Sequence, residues 1–184
     1  MPFLVTGLVV VGALTLLNLV LTLGVIRRLR EHTALLGRSS HPAHAGDSPT
    51  RPVDALVGDF TTTTVEGATV SRATLAGETV VGFFSPGCEA CDKLVPEFVG
   101  WAAANVPGGR NHVLAVVEAF PGEEEHHVAL LSEVAQVVVE RPGAGRVIAA
   151  FGVTAFPALC VVDSDGRIVA TGRGLDALPV PARS

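Results

Sequence analysis

Val80-Val81-Gly82-Phe83-Phe84-Ser85-Pro86-Gly87-Cys88-Glu89-Ala90-Cys91-Asp92-Lys93-Leu94-Val95-Pro96-Glu97-Phe98 runs from an apolar block through a cysteine pair into an amphipathic block. Val80 to Phe84 is short and uncharged, as a strand buried on both faces requires. From Cys88 to about Asn105, the residues Cys91, Leu94, Val95, Phe98, Trp101 and Ala102 recur at the spacing of one helical face. The predicted order is therefore strand, tight connection, helix. Cys88 opens the helix, and Cys91 lies one turn along the same face.

Disulfide exchange needs one thiolate to attack and a second thiol near enough to resolve the mixed disulfide, and a Cys-x-x-Cys pair at a helix start supplies both. Unpaired backbone N–H groups and the helix dipole favour a thiolate at Cys88, whereas Cys91 is shielded by the helix body. Cys88 is thus the expected nucleophile and Cys91 the expected resolving thiol. Glu89 sets a negative charge beside the nucleophile, which opposes thiolate formation and favours a reductant or mild exchanger over a strong oxidant. The same residue also suits the first turn of any helix. Cys-x-x-Cys pairs bind metals too, but the chain has only three cysteines, too few for a four-cysteine zinc site. The third, Cys160, lies in an apolar run and is expected to be a buried, inert thiol.

On the C-terminal side, Val113 to Phe120 reads as a second buried strand and Glu123 to Gln136 as a helix with an acidic first turn. Val137 to Val139 follows as a short strand, Gly145 to Phe151 as a short helix and Ala158 to Val162 as a strand. Asp163-Ser164-Asp165-Gly166 then turns the chain into Arg167 to Thr171. On the N-terminal side, Asp59 to Val65 and Ala68 to Val70 form a hairpin about Glu66-Gly67. The predicted fold class is α/β, a mixed sheet with helices on both faces, over residues 53–184. His126 and His127 are expected at the surface, without the converging ligands of a metal site, so neither a metal nor any other cofactor is implied.

Phe3 to Ile26 is 24 residues without a charge. As a helix it reaches about 36 Å, against a hydrocarbon core of roughly 30 Å. A single membrane anchor is expected here, with its helical extension occupying residues 1–36. The run is too long for the apolar region of a signal peptide, and Ala43-His44-Ala45 lies too far downstream to be its cleavage site. Residues 37–52 are rich in Gly, Ser, Pro and His and read as a flexible linker, in which His41 and His44 are solvated. Arg27, Arg28 and Arg30, directly after the span, place the C-terminal domain in the cytoplasm under the positive-inside rule. From His41 onward nine Arg and Lys face 17 Asp and Glu, and the chain has 5% aromatic residues and no Tyr. Nucleic acid is excluded as a partner, because the basic face and stacking platforms it needs are missing.

Four features together resemble the thioredoxin superfamily, and within it the membrane-anchored TlpA/ResA-like redoxins. They are Gly58-Asp59-Phe60, Leu75-Ala76-Gly77 ahead of the first core strand, Cys88-Glu89-Ala90-Cys91 with Pro96 five residues on, and Phe156-Pro157 before a strand. FFSPGCEACDKLVPEF behind a membrane helix is most similar to the MauD-type accessory redoxins. The likeness covers roughly residues 53–174 and implies the thioredoxin-like fold. It further implies a first helix kinked at Pro96 and a cis bond before Pro157 that faces the cysteines. A substrate segment would pair with the backbone of Phe156 by strand addition. The implied partners are protein disulfides or dithiols and an electron-donor dithiol, met outside the cytoplasm; the arginine cluster points the other way. Two departures stand out. Gly87 replaces the aromatic residue that often precedes the first cysteine, and Gly82 replaces a buried acid, leaving Cys91 without an identified base.

Two other chemistries fit parts of the pattern. A peroxiredoxin-like thiol peroxidase shares the fold, but its motif needs proline where this chain has Val81. A copper-binding redoxin chaperone would use Cys88 and Cys91 as soft ligands.

Overall fold

The computed structural model describes residues 48–75 and 77–179. The expected span at Phe3 to Ile26, its extension and most of the linker lie outside these residues. Among the described residues no helix is long and apolar enough to cross a membrane.

The elements run β1 (Thr61–Thr63), β2 (Thr69–Ser71), β3 (Thr79–Phe84), α1 (Glu89–Asn105), β4 (Val113–Glu118), α2 (Glu125–Leu131), β5 (Gln136–Glu140), α3 (Arg146–Phe151), β6 (Ala158–Val162) and β7 (Ile168–Gly172). β1 and β2 form the predicted hairpin. The main sheet has the order β5-β4-β3-β6-β7, with β3, β4 and β5 parallel and β6 and β7 antiparallel to their neighbours. β3 is central and buried along its whole length, as its unbroken apolar run requires.

Alternation along the strands divides the core into two layers. Phe84, Val113, Ala115, Val117, Leu159 and Val161 pack with Cys91, Leu94, Val95 and Phe98 of α1. Val81, Phe83, Leu114, Val116, Cys160 and Val162 pack with Phe60 of the hairpin region and with Val147 and Phe151 of α3. Each fully buried Phe or Leu in these layers contributes roughly 1.5–3 kcal/mol relative to exposure. Glu140, buried at the end of β5, accepts hydrogen bonds from Val147 N and Ile148 N at 2.9 and 3.0 Å. Its carboxylate thereby satisfies two N–H groups that the start of α3 would leave unpaired.

Three details differ from the sequence expectation. The helix predicted over Glu123 to Gln136 is shorter, because α2 ends at Leu131 and the chain turns so that Gln136 opens β5 opposite Leu114. Pairing with β4 outweighs the local helical pattern there, and it extends the predicted Val137 to Val139 strand by a residue at each end. Trp101, expected on the buried face of α1, is half-buried and stacked on Phe98 with ring centroids 6.5 Å apart. The end of the expected linker is tied to the domain: Arg51 N donates to Phe151 O at 2.8 Å and Thr154 N to Pro49 O at 2.9 Å. Thr50, buried, shares a 2.6 Å hydroxyl contact with Thr171.

Candidate active site

β3 ends at Phe84 and α1 begins at Glu89, so Cys88 falls at the helix N-cap, half-buried, its carbonyl accepting from Asp92 N at 3.0 Å. Gly87 has φ 76°, in the left-handed region that favours glycine, which explains why no aromatic residue stands there. Ser85 fastens the connection to the next strand, its hydroxyl donating to Glu118 O at 3.1 Å. Cys91 is fully buried in the layer between α1 and the sheet. Burial pushes the Cys91 thiol up to about 12; hydrogen bonding with Cys88 and the charge of Asp92 act in the same direction, and a backbone hydrogen bond with Ser85 opposes them.

All three cysteines are free thiols. Cys160 belongs to the opposite core layer from Cys91, and burial alone pushes its thiol up. Phe156 and Pro157, far along the chain, lie beside Cys88: Phe156 O is 3.9 Å from Cys88 Sγ, and the Phe156–Pro157 bond is cis. Pro96 sits inside α1 on an exposed face, where it removes the hydrogen bond that residue 96 would donate to the carbonyl of Asp92.

No protein-family model matches the chain, and no curated protein does. Solved structures do match. The thioredoxin domain of a thiol-disulfide oxidoreductase from Bacteroides vulgatus aligns with a TM-score of 0.51 at 20% identity, covering 69% of this chain and 92% of that one. A thiol:disulfide interchange protein from a Bacteroides species gives 0.51 at 19% identity, over 68% and 84%. A hypothetical protein from Sinorhizobium meliloti gives 0.53 at 16% identity, over 75% and 80%. This chain has a thioredoxin-like fold.

Around the cysteines, this thioredoxin-like domain carries three charged arrangements. Glu89 is exposed and bonded to Lys93 Nζ at 2.7 Å, and that ammonium, by hydrogen bond and charge, holds the Glu89 carboxyl below its ordinary range. The negative charge beside Cys88 is therefore opposed by a positive one a turn away.

His127, expected at the surface with His126, is instead buried at 3% exposure, while His126 is exposed. His127 and Leu131 share the inward face of α2 at i, i+4 spacing, a signal visible in the sequence once the helix start is known. His127 Nε2 lies 3.3 Å from Asp92 Oδ1, but neither ring nitrogen has a hydrogen-bond partner. Burial holds His127 below its ordinary value, against the pull of Asp92 and with a push from His126. The folded domain thus keeps His127 neutral where the unfolded chain takes up a proton, so stability is lost as pH falls below about 6.5. A His127→Leu chain should accordingly hold its structure to lower pH, read as a downward shift of the acid-unfolding midpoint by circular dichroism. An unchanged midpoint would mean that His127 is not the group whose protonation opens this domain.

The third arrangement involves Arg173, the first residue past β7. Its Nη2 donates to Phe156 O at 2.9 Å, the same carbonyl that lies beside Cys88 Sγ. Nothing local in the sequence marks Arg173, because the contact exists only once β7 pairs with β6. Among the described residues no three His, Cys, Asp or Glu side chains converge as a metal site.

Proposed function

We propose that this chain is a membrane-tethered thiol–disulfide oxidoreductase of the TlpA/ResA-like group, of MauD type, acting on protein disulfides through Cys88 and Cys91. The observation that carries this reading is the division of labour between the two sulfurs: a half-buried one at the cap of α1 and a buried one a turn behind it. The Cys88 thiolate attacks a client disulfide, forming a Cys88–client disulfide while the client's other sulfur leaves as a thiolate and takes up a proton. Cys91, once deprotonated, attacks Cys88 Sγ; the Cys88–Cys91 disulfide forms, the second client thiol leaves, and two electrons have passed to the client. A donor dithiol restores the pair by the same two exchanges. The client segment lies along the backbone of Phe156, beside Pro157, by strand addition.

Phe3 to Ile26 forms the tether, and the catalytic domain faces away from the cytoplasm, where a tethered reductant meets disulfides that soluble cytosolic thiols do not reach. Arg27, Arg28 and Arg30 favour the reverse orientation. A reporter active only outside the cytoplasm, fused to the C-terminus, should be active; silence would reverse the topology. The full-length chain in detergent, supplied with dithiothreitol, should speed the reduction of insulin disulfides well beyond dithiothreitol alone. Cys88-dependent peroxide consumption, or one copper ion retained per chain, would replace this reading with one of the two other chemistries.

A further inference from the structure

The Phe156 carbonyl lies 3.9 Å from Cys88 Sγ, so a peptide whose sulfur reaches Cys88 brings its backbone beside this acceptor. In the free protein this carbonyl is taken by Arg173, at 2.9 Å. A carbonyl has two lone pairs, and in the free protein the Cys88 thiol and Arg173 both face this one, so a docking strand competes with the guanidinium. Arg173 is exposed, and among the described residues it has no carboxylate within ion-pair distance. Once displaced, it stands as a free cation beside the docked segment. Its planar fork of donors is matched best by a carboxylate, held bidentately.

We infer that Arg173 is a specificity residue: it holds the Phe156 carbonyl in the free protein, yields it to a client strand, and then binds an acidic side chain flanking the client's reactive cysteine. This rests on the dithiol reading above and names the class of client, a disulfide whose cysteine is neighboured by Asp or Glu. The domain as a whole is acidic, with 17 acidic against nine basic residues from His41 onward. Long-range steering alone would therefore favour basic clients. A preference for acidic ones would run against the overall charge and point to a local cation.

The test uses the full-length chain in detergent and three short peptides, each carried as a mixed disulfide with thionitrobenzoate and differing only in Glu, Gln or Lys next to the cysteine. The native chain should show a kcat/KM for the Glu peptide about fivefold above that for the Gln peptide, the scale of a partly exposed charge pair, with the Lys peptide lowest. Arg173→Ala should bring the Glu-to-Gln ratio to one or below, the residual set by the acidic domain, and Arg173→Glu should invert the order. Because each ratio is taken within one variant, partial unfolding cancels. Equal rates in the native chain, or a preference that survives Arg173→Ala, overturn the inference and leave the dithiol reading standing. No reduction of any peptide overturns both. If Arg173→Ala slows alkylation of Cys88 by iodoacetamide while the peptide ratios stay fixed, Arg173 acts on the thiolate and not on the client, and the inference is likewise overturned.

Discussion

Full-length chain carrying Cys88→Ser is expected to reduce client disulfides no faster than the donor dithiol does unaided, because a serine hydroxyl at neutral pH does not displace sulfur from sulfur. Cys91→Ser should behave differently. Attack by Cys88 remains and resolution is lost, so the first turnover proceeds and the chain then stalls as a Cys88–client adduct, visible as a mass increase and released by added dithiol. Cys160 cannot take over resolution, since it lies in the other core layer with the sheet between. Cys160→Ser should therefore leave turnover intact. In the native chain, burial is the largest cause pushing the Cys91 thiol up to about 12, and it persists when Cys88 is tied to a client, so resolution is expected to be the slow step at neutral pH. Its rate should climb about tenfold per pH unit through the neutral range, following the thiolate fraction. Normal multiple turnover by Cys91→Ser, with a donor that does not itself release the adduct, would show that the two sulfurs have been given the wrong roles.

The core of this site is legible in the sequence because its signals are local. A five-residue apolar run, a cysteine pair and a helical face adjoin one another, and each constrains its neighbour, so β3, α1 and both sulfurs fall where those patterns put them. The parts that escape are made by pairing between distant segments. His126 and His127 look alike as neighbours, and which of them turns inward depends on where α2 starts and on how it meets Asp92. Gln136 reads as the end of a helix until β4 offers it a strand partner. Glu140 looks like any acidic residue at a strand end, yet its carboxylate joins β5 to α3. Arg173 reaches Phe156 only because β6 and β7 form a hairpin. At the other end, Thr50 reads as linker until Thr171 is brought beside it.

Gly82 marks the place where the chain departs most from what its resemblance implies, and Gly82→Asp, which would install the missing acid, is expected to abolish folding. A Cβ at this position would lie 2.7 Å from Phe84 Cε2, 2.9 Å from Cζ and 3.4 Å from Leu159 Cδ2. The Phe84 ring, which must shift, is fully buried and stands edge-on to Phe98, with centroids 5.4 Å apart, so moving it disturbs the core. Overpacking of this kind costs about 1–3 kcal/mol, out of a total stability of roughly 5–15 kcal/mol for a domain. Gly82→Ala should thus fold with a lowered Tm. The carboxylate of Gly82→Asp adds the penalty of a buried charge with no partner, and that variant should be unfolded at neutral pH. Phe84→Leu, by shrinking the side chain that fills the space, should restore part of the loss in either background, a coupling that a double-mutant cycle measures as a Tm recovery. A Gly82→Ala chain that melts like the native one would show that the space is open after all. An acid at position 82 is therefore expected to need a smaller neighbour than Phe84. Hydrocarbon in the layer that holds Cys91 desolvates the thiol, and with no base at position 82 to take its proton, the proposed resolving step is expected to depend on pH. The double variant Gly82→Asp/Phe84→Leu, where it folds, should hasten decay of the Cys88–client adduct at neutral pH relative to Phe84→Leu alone; equal decay would mean that proton removal from Cys91 does not limit resolution.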